Sequence, residues 1–62
     1  MPVIQITISH GRTVEQKREL IKILTKETAR IMKTQEEKIQ IFIYEVSKEN
    51  LGNGGIIGVD MK

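Results

Sequence analysis

The least ordinary chemistry in this chain lies at its front. Pro2 is the only proline and directly follows the initiator methionine. Methionine is normally trimmed when a small residue follows, and trimming here leaves a free secondary amine. An α-amino group titrates at about 7.7–8.0 in model peptides, and a secondary amine starts higher. Burial and a neighbouring cation both disfavour its protonated form. A base brought close to neutrality contributes roughly 10²–10⁴ in rate to a proton transfer. With Met1 still attached, the nitrogen is locked in a peptide bond and has neither basicity nor nucleophilicity. Taken alone, Met-Pro reads simply as the start of a strand, where the missing N–H costs nothing. The second candidate is Arg12, preceded by Gly11. A guanidinium there can clamp a carboxylate through two parallel hydrogen bonds and depress the pKa of a nearby amine. Alone, it is an ordinary solvated loop arginine. His10, the single histidine, reads as a loop residue. The glycines from Gly52 to Gly58 lack the Lys-Ser/Thr and following helix of a phosphate-binding loop.

The elements that must position these groups follow from periodicity. Residues 2–9 alternate Ile4, Ile6 and Ile8 with Gln5, Thr7 and Ser9, the period of a strand with one apolar face. His10-Gly11-Arg12 breaks the pattern as a loop. Thr13 and Gln16 have the spacing of a capping box. From Val14 to about Lys33, Leu20, Ile21, Leu24, Thr28, Ile31 and Met32 recur at helical spacing. Glu15–Arg18, Glu19–Lys22 and Glu27–Arg30 are opposite charges three apart on that helix. Residues 38–46 form a second strand with Ile39, Ile41 and Ile43 on one face. Phe42, Tyr44 and Val46 lie on the other face with Lys38 and Gln40, so the strand expects cover on both sides. Gly52, Gly54, Gly55 and Gly58, interleaved with Leu51, Ile56, Ile57 and Val59, read as a tight turn or short hairpin. The fold class is α+β: a β-α-β unit with parallel strands and a short C-terminal hairpin. One helix covers one face of a two-stranded sheet, and such a sheet is marginal alone.

Composition points the same way. Residues 1–62 are one domain, and a domain of about 60 residues buries only roughly 60% of its unfolded surface. Small folds need a staple. There are no cysteines, which excludes disulfides, thiolate metal sites and a cysteine nucleophile. A single histidine excludes a multi-histidine metal cage, so no metal site is expected. Completion of the core by other copies of the chain is the expectation that remains. The net charge of +2 is too balanced to imply nucleic acid. The basic helix face lacks the stacking aromatics such binding would want. No apolar run approaches the roughly 20 residues that span a bilayer. Met1 to Gln5 lacks the features of a signal peptide, so a cytoplasmic location is expected.

In order along the chain stand Pro2, Gly11-Arg12, Glu15-Gln16-Lys17, Leu20-Ile21, Glu45 and Leu51-Gly52-Asn53-Gly54-Gly55. This combination resembles the 4-oxalocrotonate tautomerase family over nearly the whole length. The resemblance implies a dimer with a four-stranded sheet and a trimer of such dimers, a homohexamer. It implies a mature chain starting at Pro2, whose amine is general base and acid. That amine moves a proton between carbons of a small unsaturated 2-oxo acid of the 2-hydroxymuconate kind, without a cofactor. Arg12 would grip a substrate carboxylate, and the backbone of Ser9 would lie beside the substrate.

Two positions depart from the family pattern. Members acting on 2-hydroxymuconate-type dicarboxylates carry a second arginine in the second strand, supplied by a neighbouring subunit; Gln40 stands there. Glutamine donates hydrogen bonds but has no charge, and a charge-assisted partner for a developing enolate is worth several kcal/mol. Lys38, two residues earlier, is a candidate substitute or an ordinary solvated lysine. Leu51 replaces the family's aromatic residue before the glycine turn, keeping an apolar wall. The same amine also suits hydration, decarboxylation or dehalogenation of unsaturated acids in related families. A non-catalytic oligomeric binding module is the remaining alternative.

Overall fold

Alternating residue character builds the first strand. In the computed structural model, which describes residues 2–61, β1 spans Val3–Ser9. It half-buries Ile4, Ile6 and Ile8 and exposes Val3, Gln5, Thr7 and Ser9. Met1, on whose removal the chemistry of Pro2 depends, lies outside the described residues.

Helix α1 spans Val14–Met32. Its capping box is formed: Thr13 Oγ1 accepts from the Gln16 N–H at 3.1 Å, and Gln16 Oε1 accepts from the Thr13 N–H at 2.9 Å. Two orphan donors are thereby satisfied. The helix stops one residue short of the expected Lys33. That residue turns left-handed at φ 54°, and the Thr34 N–H closes onto the Ala29 carbonyl at 3.1 Å. Arg18 pairs with Glu15 at 2.5 Å and Arg30 with Glu27 at 2.8 Å; the expected Glu19–Lys22 pair is not formed. Leu24 and Thr28 are half-buried against the sheet. Ile31 and Met32, on the same apolar stripe, remain 65% and 59% exposed. The helix is roughly 28 Å long and the strands roughly 23 Å, so its last turn outruns the sheet.

Strand β2 spans Gln40–Val46 and runs parallel to β1. Ile4 pairs with Ile41 and Ile6 with Ile43 on the face beneath α1, while Gln5 pairs with Phe42 and Thr7 with Tyr44 on the opposite face. The second strand is shorter than the sequence pattern indicated. Glu36–Lys38 forms a 3₁₀ turn, in which the Lys38 N–H donates to the Gln35 carbonyl and the Ile39 N–H to the Glu36 carbonyl. Lys38 therefore does not share a strand face with Gln40, because its backbone donor is spent on the turn. Phe42 and Tyr44 lie open as expected, but Val46 is half-buried. It borders a hollow shared with Lys48 and Val59, which shields it from the side of the C-terminal segment.

The tail forms the hairpin. Strands β3, Gly52–Asn53, and β4, Ile56–Ile57, pair antiparallel. Gly54 and Gly55 turn between them at φ 62° and 85°, the doubly positive backbone of a type I′ turn. The 3₁₀ turns Lys48–Asn50 and Gly58–Asp60 flank the hairpin.

The single chain has no interior. Among the described residues no hydrophobic side chain is buried, and Gly58 alone is buried. The chain exposes 5312 Å², against about 4,100 Å² for a compact protein of this mass by surface scaling. Its radius of gyration is 14.9 Å, against about 10.6 Å for a compact chain of this length.

Candidate active site

The parallel register sorts the six candidate residues into two groups. Pro2 sits just before β1, and its carbonyl accepts from the Gln40 N–H at 3.1 Å. Gln40 is the first residue of β2, and Lys38 precedes it by two residues. These three mark one end of the sheet. Ser9 closes β1 and pairs with Val46 at the other end, and Arg12 follows in the loop before α1. Leu51 belongs to the connection after β2. At roughly 3.3 Å per residue, Pro2 and Ser9 are separated by on the order of 23 Å. One chain does not bring Pro2 to Arg12.

The local sequence explains the Arg12 end. The His10 N–H donates to the Val46 carbonyl at 3.1 Å, carrying the ladder one residue past β1. Gly11 then turns at φ 115°, a backbone that side chains rarely adopt. Arg12 follows immediately, and the Thr13 capping box fixes the start of α1 behind it. Arg12 borders a hollow of about 250 Å³ together with Ile8, Gln16, Lys17 and Leu20. Its apolar floor and exposed guanidinium suit a small acid with a carbon skeleton and a carboxylate. Lys17, in the same hollow, donates to Glu45 Oε1 at 2.5 Å across to β2. Glu45 neutralises Lys17 and leaves Arg12 as the unpaired cation there among the described residues.

A second hollow of about 250 Å³ has Ile8 in common with the first and is lined by Thr7, Ile8, Ser9, Val46, Lys48 and Leu51. It brings Ser9 and Leu51 together, two residues 42 positions apart in sequence. Sequence reasoning missed Lys17 and Lys48. The signal for Lys17 was its place five residues beyond Arg12, early in α1. Lys48 carried none, because only the parallel pairing of Ser9 with Val46 brings the end of β2, and Lys48 after it, beside Ser9. His10 borders a neighbouring hollow with Glu49 and Val59, away from Arg12. Among the described residues there is no cluster of three or more His, Cys, Asp or Glu side chains that could hold a metal ion, and no helix is long and apolar enough to cross a membrane.

Residues 2–59 match the family model described as "Tautomerase enzyme". The chain is 36% identical over 55 residues to a 2-hydroxymuconate tautomerase of Pseudomonas sp. (strain CF600), covering 89% of this chain and 87% of that protein. A crystal structure of a 4-oxalocrotonate tautomerase homologue superposes with a TM-score of 0.90 at 32% identity, over 100% of this chain and 98% of that one. A heterohexameric 4-oxalocrotonate tautomerase from Chloroflexus aurantiacus J-10-fl superposes with a TM-score of 0.87 at 29% identity, with both chains fully covered.

Proposed function

The chain belongs to the tautomerase family, and from that premise we propose that it is a homo-oligomeric isomerase of small unsaturated 2-oxo acids with the amine of Pro2 as its proton carrier. The observation that carries this reading is the pair formed by an N-terminal proline at one end of β1 and an unpaired arginine in an apolar-floored hollow at the other. Removal of Met1 frees the amine. The uncharged amine takes a proton from a carbon of the conjugated 2-oxo acid, and the electron pair moves to the 2-oxygen as a dienolate. The pair flows back through the conjugated system as the ammonium returns the proton at a different carbon. Starting from the dienol, the amine takes the hydroxyl proton and the pair moves from oxygen to the carbon that is protonated. Nothing is gained or lost overall, so no cofactor is required. Arg12 holds a carboxylate of the substrate, Ser9 and Leu51 border its skeleton, and Gln40 hydrogen-bonds at the Pro2 end.

Assembly reconciles the separation of Pro2 and Arg12. The outer edge of β1 is unpaired, since the sheet has the order β1-β2. A second copy pairing there about a twofold axis runs antiparallel and lays its own Pro2 beside Ser9 and Arg12 of the first. That gives a four-stranded sheet, and its open face, carrying Phe42 and Tyr44, supports further assembly of dimers to a hexamer in the cytoplasm.

The test is turnover of 2-hydroxymuconate, followed by ultraviolet absorbance, with protein whose intact mass shows Met1 removed. Pro2→Ala should lower kcat by two to four orders of magnitude, the range of a general base, and leave the sedimentation profile unchanged. Equal turnover by this variant, or by protein retaining Met1, would overturn the assignment.

A further inference from the structure

We infer that Lys48 is the second cation of the substrate site and that it selects dicarboxylates over monocarboxylates. This deepens the reading above and rests on it. The hollow shared by Ser9 and Leu51 has one cationic residue in its lining, Lys48. Lys48 makes no ion pair among the described residues, in contrast to Lys17, whose ammonium is taken by Glu45. Lys38, by comparison, lines none of the hollows beside Ser9, Arg12 or Leu51.

The backbone that carries Lys48 is closely packed by the tail. Gly58, the one buried residue among those described, lies against it: a Cβ at position 58 would come within 2.7 Å of the Lys48 carbonyl oxygen and 3.1 Å of its Cα. The Gly58 N–H also donates to the Leu51 carbonyl at 2.7 Å. The hairpin thus clamps both ends of the 48–51 segment and holds Lys48 and Leu51 on one rim. The hollow that holds Arg12 lies on the α1 face of β1 and has Ile8 in common with this one. Lys48 and Arg12, one on each side of the Ser9 end of β1, match a short unsaturated acid charged at both ends. The charge that Gln40 lacks is in this way supplied from another place in the fold.

The matched probes are trans,trans-muconate and sorbate, six-carbon dienes that differ in having two carboxylates or one. Binding to the assembled, Met1-free protein is measured by isothermal titration, independently of turnover. Wild type should prefer muconate. Lys48→Met should weaken muconate roughly tenfold, the size of one lost charge-assisted contact, and leave sorbate within about twofold. Lys48→Arg should restore the preference. The side chain rather than the backbone is altered, so the Gly58 contact stays, and sedimentation confirms assembly. No muconate preference in wild type, an unchanged preference in Lys48→Met, or transfer of the effect to Lys38→Met would each overturn the inference. Loss of the preference in Lys48→Met alongside undiminished turnover by Pro2→Ala would instead retain it and reject the role of the amine.

Discussion

At the residue scale, the division of labour follows from charge. Arg12 stands in a hollow where the other cation, Lys17, is already paired with Glu45 at 2.5 Å. On the proposed function a substrate carboxylate entering there meets one free guanidinium, whose planar fork donates two parallel hydrogen bonds to it. Arg12→Ala should raise KM for carboxylate substrates by roughly ten- to hundredfold, the loss of a hydrogen bond to a charged group. Steady-state kinetics checks this, and an unchanged KM would remove the clamp. The types of Pro2 and Arg12, and the loop position of Arg12, were legible directly, since a secondary amine and a guanidinium announce their chemistry without a fold. Lys48 was not legible, because a lysine in a polar stretch looks the same wherever the chain later carries it.

At the element scale, α1 and the hairpin set the two rims of the site by different devices. The start of α1 is fixed by the Thr13–Gln16 capping box, which also fixes where the Arg12 loop ends. Thr13→Ala should cost about 1 kcal/mol of stability, read as a lower urea midpoint at fixed protein concentration. An unmoved midpoint would show that the cap contributes nothing in the assembly. The capping box and the Gly54-Gly55 turn were readable because each depends on residues within four positions of one another. Lys38 was misplaced onto β2 because its alternation with Gln40 and Phe42 is the same in a strand and in a 3₁₀ turn leading into one. The hydrogen bond to Gln35 decides between them.

At the scale of the whole molecule, surface area dominates. The lone chain has no buried hydrophobic side chain among the described residues, and Phe42 and Tyr44 stand 45% and 49% exposed on the open sheet face. Contiguous exposed apolar surface of this kind marks an interface. Phe42→Asp should therefore reduce the sedimenting mass and, with it, helical circular dichroism at low concentration, since folding and assembly are linked. A variant that sediments like wild type would show that this face does not join copies. On the proposed function the same surface deficit links activity to assembly, since the length of β1 separates Pro2 from Arg12 within one chain.

Local periodicity determined β1, α1, the body of β2 and the glycine hairpin from sequence alone, because alternation, capping and positive-φ turns are properties of near neighbours. The expectation of partner chains was also legible, since a small fold without cysteine lacks a disulfide staple. The tertiary structure decided which end of the sheet each candidate residue occupies, that Lys17 pairs with Glu45, and that the end of β2 sets Lys48 beside Ser9. These depend on the parallel register and on the path of the chain between distant residues, and no nearest-neighbour pattern encodes them.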